Sequence, residues 1–194
     1  MKELIIHIIT DVLTALYQPF GFSVILSVLV MFFLMYAQER GWREICKKWW
    51  KQFKTSSLFR REFLLIFYIT MILFRTLLNR NMWANPLSNV LGAWGLYNEQ
   101  GEFTTEAIEN LFLFIPFVIL LLWTLKDKLI KKRTLISIIF LSGKITFFFS
   151  LAIEFAQLFF RIGTFQLSDL FYNTLGGTIG GAIYYFGIKW KENK

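Results

Sequence analysis

One cysteine, Cys46, and one histidine, His7, are all that this chain contains of either kind. A disulfide within the chain is therefore excluded, and a Cys/His zinc site lacks its ligands. No metal and no other cofactor is expected. Nucleophile signatures are missing as well: there is no Ser-x-x-Lys, His-Glu-x-x-His or Gly-x-Ser-x-Gly. The glycine-rich run from Gly176 to Gly181 lacks the lysine of a phosphate loop and sits inside an apolar segment. Solenoid repeats and low-complexity tracts are also absent. Charge is scarce, at 18% of residues, where soluble domains carry about 25%. What charge there is falls in clumps between long apolar runs, and a water-soluble fold cannot hide such runs because its helices need a polar face.

What the chain has in excess is apolar surface, with 56% of residues hydrophobic and 19% aromatic. Crossing about 30 Å of hydrocarbon takes roughly 20 helical residues. Segments at 20–37, 62–79, 110–126, 134–160 and 170–188 meet that need. The expected fold is all-α, a polytopic transmembrane helix bundle of about five spans. Residues 4–17 are short for a span and precede Pro19, so they form either an interfacial helix or a short sixth span, the interfacial form being favoured. They carry Asp11 and no small-residue cleavage pattern, so they do not read as a cleaved leader. Residues 42–54 read as a basic amphipathic loop helix, with Trp42, Ile45, Trp49 and Phe53 at helical spacing.

The net charge of +8 invites a nucleic-acid reading, which the placement of the cations rejects. Arg40, Arg43, Lys47, Lys48, Lys51, Lys54, Arg60 and Arg61 separate the first two spans. A second basic run, Lys126 to Arg133, separates the third and fourth, and the C-terminus ends in Lys189, Lys191 and Lys194. The 80–109 connection holds Arg80 against Glu99, Glu102, Glu106 and Glu109, and the 161–169 connection holds Arg161. Basic and non-basic connections alternate, as five spans require. The expectation is a multi-pass cell-membrane protein with a cytoplasmic C-terminus, an extracytoplasmic 80–109 loop, and membrane lipids as partners. Domain limits follow at 1–61 (N-terminal helix, first span, basic segment), 62–188 (membrane core) and 189–194 (tail).

Polar residues inside the spans gather at one level. Arg75, Asn110, Glu154, Gln157, Arg161, Asp169 and Asn173 each fall within about 10 Å of the expected outer boundary at 1.5 Å per residue. Ionisable groups in hydrocarbon are costly and face the bundle interior or a cavity. Glu154, Gln157 and Arg161 share a helix face, as do Asp169, Asn173 and Gly177. The pairs Gly176/Gly180 and Gly177/Gly181 have small-xxx-small spacing, for close packing within the chain or in a homodimer. Two readings stay open: a buried ion pair of Glu154 with Arg75 or Arg161, or a cavity for a ligand. Lys144, in mid-span, is the residue out of register with this layer, and Asp127 lies in a basic loop.

Ser150, Glu154, Gln157, Gly163, Asp169, Asn173, Gly176 and Gly177 together resemble the C-terminal signature of the VanZ-like membrane proteins. Asn110, Phe114, Pro116 and Phe117 are similar to that family's Asn-x-x-x-Phe-x-Pro-Phe element, and Asn85 to Leu87 to its Asn-x-Pro-Phe element. Arg75 matches a basic residue that often precedes that loop. Val118, Leu87 and Gln166 depart from the pattern, and the match runs from about 62 to 186. The resemblance implies a bacterial envelope role of the teicoplanin-resistance type. A lipoglycopeptide or a lipid-linked cell-wall precursor would then bind at Arg75, Asn85, Asn110, Glu154, Gln157, Arg161, Asp169 and Asn173. The alternative is a membrane-embedded enzyme using Glu154 and Asp169 as acid and base on a lipid-linked substrate. A small transporter is a third reading, disfavoured because the polar groups lie at one level rather than at the midplane.

Overall fold

The computed structural model describes residues 2–36, 41–97 and 103–192. Arg40, Glu99, Glu102 and Lys194 lie outside the described residues. Among those described there are seven α-helices and no strand: α1 (Lys2–Tyr17), α2 (Phe20–Tyr36), α3 (Trp42–Thr55), α4 (Ser57–Leu73), α5 (Glu106–Leu129), α6 (Leu135–Phe160) and α7 (Leu167–Glu192). A π-turn, Phe74–Leu78, continues α4. Three helical stretches, Glu3–Met35, Glu106–Leu129 and Leu135–Phe160, are long and apolar enough to cross a membrane. The chain is a membrane protein with an all-α bundle.

The helices alternate in direction. Phe20 meets Phe67 and Phe22 meets Phe74, while Met35 packs with Phe59, so α2 and α4 are antiparallel. Ser23 and Ser27 face Thr70, whose hydroxyl lies 3.3 Å from the Ser27 hydroxyl. Small residues there let the two backbones approach. α5, α6 and α7 continue the alternation. One end of the bundle therefore gathers α3, the 126–133 turn and the end of α7. Arg61 donates to the Trp123 carbonyl at 3.1 Å, and Arg133 pairs with Glu192. The basic segments converge on this end, and the opposite end carries the polar layer.

α3 lies against its neighbours through one stripe. Ile45 is fully buried and Trp49 stacks on Phe53, both packed on Met31, Met35 and Phe59. Trp42, expected on that stripe, is exposed instead. α1 sits at the polar end: the His7 ring meets Phe103, Asp11 bonds Thr105, and Gln18 accepts from Asn79. Its contacts, spread over three turns, fall on Phe103, Thr105 and Asn79 at this one end, and α1 and α2 together form the apolar stretch Glu3–Met35.

The glycines of α7 serve two neighbours. A Cβ on Gly176 or Gly180 would collide with the α5 backbone at Leu111 and Ile115, whereas one on Gly177 or Gly181 would collide with Thr146 and Ser142 of α6. Both small-residue faces are thus occupied within the chain. The core between α4, α5, α6 and α7 centres on Ile72, Phe114, Val118 and Leu122, each fully buried. Pro116 cannot donate to the carbonyl four residues back, and the Tyr68 hydroxyl donates to the adjacent Leu113 carbonyl at 2.9 Å.

Candidate functional site

Two loops build the polar end. Residues 80–97 lie over the 161–168 turn through a row of backbone bonds. Trp83 N–H donates to the Arg161 carbonyl at 2.9 Å, Phe165 to Pro86 at 2.9 Å, and Leu167 to Val90 at 2.8 Å. Gly92, at φ +74, lies so near Ser168 that a side chain has no room. Trp83, Trp94 and Tyr97 are exposed on this loop, as aromatic residues are at a membrane–water interface.

Beneath the loop, α6 and α7 contribute a buried cluster. Glu154 is 1% exposed, and its Oε2 accepts from the Gln166 N–H at 2.8 Å, which ties the carboxylate to the turn. Gln157 donates to the Thr76 carbonyl, in the π-turn, at 2.8 Å. Asn173 donates to the Ser150 hydroxyl at 2.8 Å, and Asn110 donates to Asp169 Oδ1 at 2.8 Å. All five of Glu154, Gln157, Asp169, Asn173 and Asn110 are buried. Glu154 and Asp169 lie within electrostatic range of one another, and Arg80 and Glu106 within range of both. Gln157 Oε1 and Asn173 Oδ1 have no protein donor among the described residues, so the cluster is rich in acceptors.

Arg75 takes a different partner from those expected. It pairs with Glu109 across the gap between the π-turn and α5. π-turns are frequent at functional sites, and here the turn places Arg75 toward α5 while Thr76 offers its carbonyl to Gln157. The Thr105 hydroxyl lies 2.6 Å from Glu109 Oε1 and 2.9 Å from Asp11 Oδ2, and His7 Nδ1 lies 2.9 Å from the same Asp11 oxygen. Between these groups is a pocket of about 310 Å³, lined by Arg75, Asn79 and Arg80 on one side and by Thr104, Thr105, Glu106, Glu109 and Asn110 on the other. Asn110, one of its lining residues, links it to Asp169 through the bond just described.

The expected site residues thus divide. Arg75 and Asn110 line the pocket; Glu154, Gln157, Asp169 and Asn173 form the buried cluster behind it. Arg161 joins neither. It is exposed, and it ends α6 in the left-handed conformation at φ 56, which breaks the helical spacing that would have placed it beside Glu154. The ion pair of Glu154 with Arg75 or Arg161 is not formed. Asn85 is exposed and accepts from the Leu87 N–H at 3.2 Å, closing a turn of the loop. Lys144 is exposed on α6, away from the cluster.

Arg80, Thr105, Glu106, Glu109 and Asp11 escaped notice as site residues. α5 starts at Glu106 rather than at 110, so Thr105/Glu109 and Glu106/Asn110 stand one turn apart at its head. That i, i+4 spacing was the available signal. Among the described residues no group of three or more His, Cys, Asp or Glu is arranged to hold a metal ion.

A family model described as VanZ/LLP1 matches residues 22–188. The match begins well upstream of residue 62, where the motifs suggested a start, so α2 and the basic segment lie within the shared region. No curated protein matches the chain, and no solved structure does.

Proposed function

The chain belongs to the VanZ/LLP1 family, and from that premise and the pocket's chemistry we propose that it binds the polar head of a lipoglycopeptide or a lipid-linked cell-wall amphiphile. The family and the apolar helices fit a membrane envelope protein. The proposal places the polar end in the outer leaflet and the C-terminus in the cytoplasm, because the basic segments gather at the opposite end and positive charge stays inside.

The pocket's mixed lining carries the reading. Arg75, Arg80 and the Asn79 and Asn110 amides supply donors; Glu106, Glu109 and the threonine hydroxyls supply acceptors. A lining of balanced charge suits a head of sugars and peptide amides better than a bare polyanion. The exposed aromatic residues of the 80–97 loop at the same end, Trp83 and Trp94 among them, would offer apolar surface for the acyl part. Capture there would lower teicoplanin susceptibility by holding the drug away from its target.

The test is the inhibitory concentration of two drugs against a susceptible bacterium expressing the chain. Teicoplanin, which carries a lipid, should lose potency, while vancomycin, which lacks one, should change little. Asn110→Ala and Arg75→Ala should abolish the difference. Equal protection against both drugs would refute recognition of an amphiphile.

A further inference from the structure

The basic end holds a cavity of its own. It encloses about 600 Å³ between the end of α5, the start of α6 and the last turns of α7, a volume within the usual range for small-molecule sites. Its rim is cationic: Lys126, Arg133, Lys189 and Lys191 face it against Asp127 and Glu192. Its depth is apolar, formed by Ile138, Tyr184 and Ile188. The Tyr184 hydroxyl is committed to the Leu122 carbonyl at 3.1 Å, so the ring and not the hydroxyl lines the space.

The walls are held in place. Arg61 lies over the Trp123 ring, 5.4 Å from its centroid, and donates to the Trp123 carbonyl. Arg133 pairs with Glu192 at 3.4 Å, which joins the start of α6 to the end of α7. A cationic rim over an apolar depth is complementary to a molecule with an anionic head and a hydrocarbon end. In a membrane-embedded chain the abundant molecule of that form is an anionic phospholipid.

We infer that the cavity between α5, α6 and α7 at the basic end is a binding site for an anionic phospholipid, with the phosphate at the Lys126/Lys189 rim and the first methylenes of the acyl chains against Ile138 and Ile188. This site is separate from the pocket at the polar end and does not depend on what that pocket binds. α3 supplies the internal contrast. Its Lys47 and Lys51 lie at the same end and are exposed, as the rim cations are, but they are not among the residues that line this cavity. Diffuse attraction to anionic lipid treats both sets of lysines alike; a site does not.

Native mass spectrometry of the full chain, released from micelles doped with phosphatidylglycerol or phosphatidylcholine, separates these cases. Retention of phosphatidylglycerol should exceed that of phosphatidylcholine. Lys126→Gln with Lys189→Gln should weaken it by about tenfold or more, since each lysine near a lipid headgroup contributes appreciably. Lys47→Gln with Lys51→Gln should change it less than twofold. Ile188→Trp fills the depth without touching charge and should also reduce retention, giving an independent reading if the lysine variant does not fold. Inorganic phosphate in excess should not displace the lipid. Equal loss in both lysine variants, retention unaffected by Ile188→Trp, parity between the two lipids, or displacement by inorganic phosphate would each overturn the site.

Discussion

Replacing Gly176 with alanine tests the link between helix packing and the candidate site. The new Cβ would overlap the Leu111 carbonyl oxygen and stand 3.0 Å from the Leu111 carbonyl carbon and 3.1 Å from its Cα. These are backbone atoms, which no rotamer change can move. Relief needs α5 and α7 to separate by roughly 1 Å, and overpacking of this kind costs about 1–3 kcal/mol. Leu111 adjoins Asn110, whose amide holds Asp169 at 2.8 Å. A 1 Å separation, on the same estimate, takes that bond past the usual limit of about 3.2 Å. Leaving a buried polar group without its partner adds about 1–3 kcal/mol. The combined loss is then about 2–6 kcal/mol.

Gly187 is the matched control in the same helix, because an added Cβ there meets nothing within 4 Å. Gly187→Ala should stabilise by about 0.5–1 kcal/mol through lower unfolded-chain entropy. Both variants can be compared by denaturant unfolding in micelles, with teicoplanin protection measured in parallel. Gly176→Ala should be the less stable and should lose protection. If the two variants unfold alike, α5 and α7 do not approach as closely as described, and the Asn110–Asp169 juxtaposition loses its support.

Three further outcomes follow from named contacts. Arg75 and Glu109 pair at 21% and 15% side-chain exposure, so a double-mutant cycle with alanine should give a coupling of about 1–3 kcal/mol in unfolding experiments; additivity would show that the pair is absent. Glu154→Gln keeps an acceptor for the Gln166 N–H and should preserve drug protection, whereas Glu154→Ala should abolish it; loss in the glutamine variant would indicate that the charge or the proton is needed, as an acid–base role requires. Arg161→Gly places glycine where φ is 56 and should stabilise by about 1 kcal/mol without altering protection; a lost phenotype would return Arg161 to the site.

Much of the architecture was legible in the residue order. Span length, alternation of basic and non-basic connections and the amphipathic stripe of α3 are local properties: hydrocarbon thickness sets the first, charge placement the second, helical periodicity the third. α2 and α6 accordingly lie close to where the hydropathy put them. The shared depth of Asn110, Glu154, Asp169 and Asn173 was also readable, since rise per residue converts sequence position into height. Azimuth was not. Height says nothing of which way a side chain turns about its helix axis, so Arg75 was free to choose among several carboxylates, and the π-turn directs it to Glu109. A left-handed residue at the end of α6 removes Arg161 from the face its spacing assigned. The glycine pairs, ambiguous between internal packing and self-association, are taken up by α5 on one side and α6 on the other. Sequence thus determined the layer at which polar groups sit, because the membrane imposes it; the tertiary fold decided the partners within that layer, because those depend on helix rotation and on backbone irregularities that no local pattern encodes.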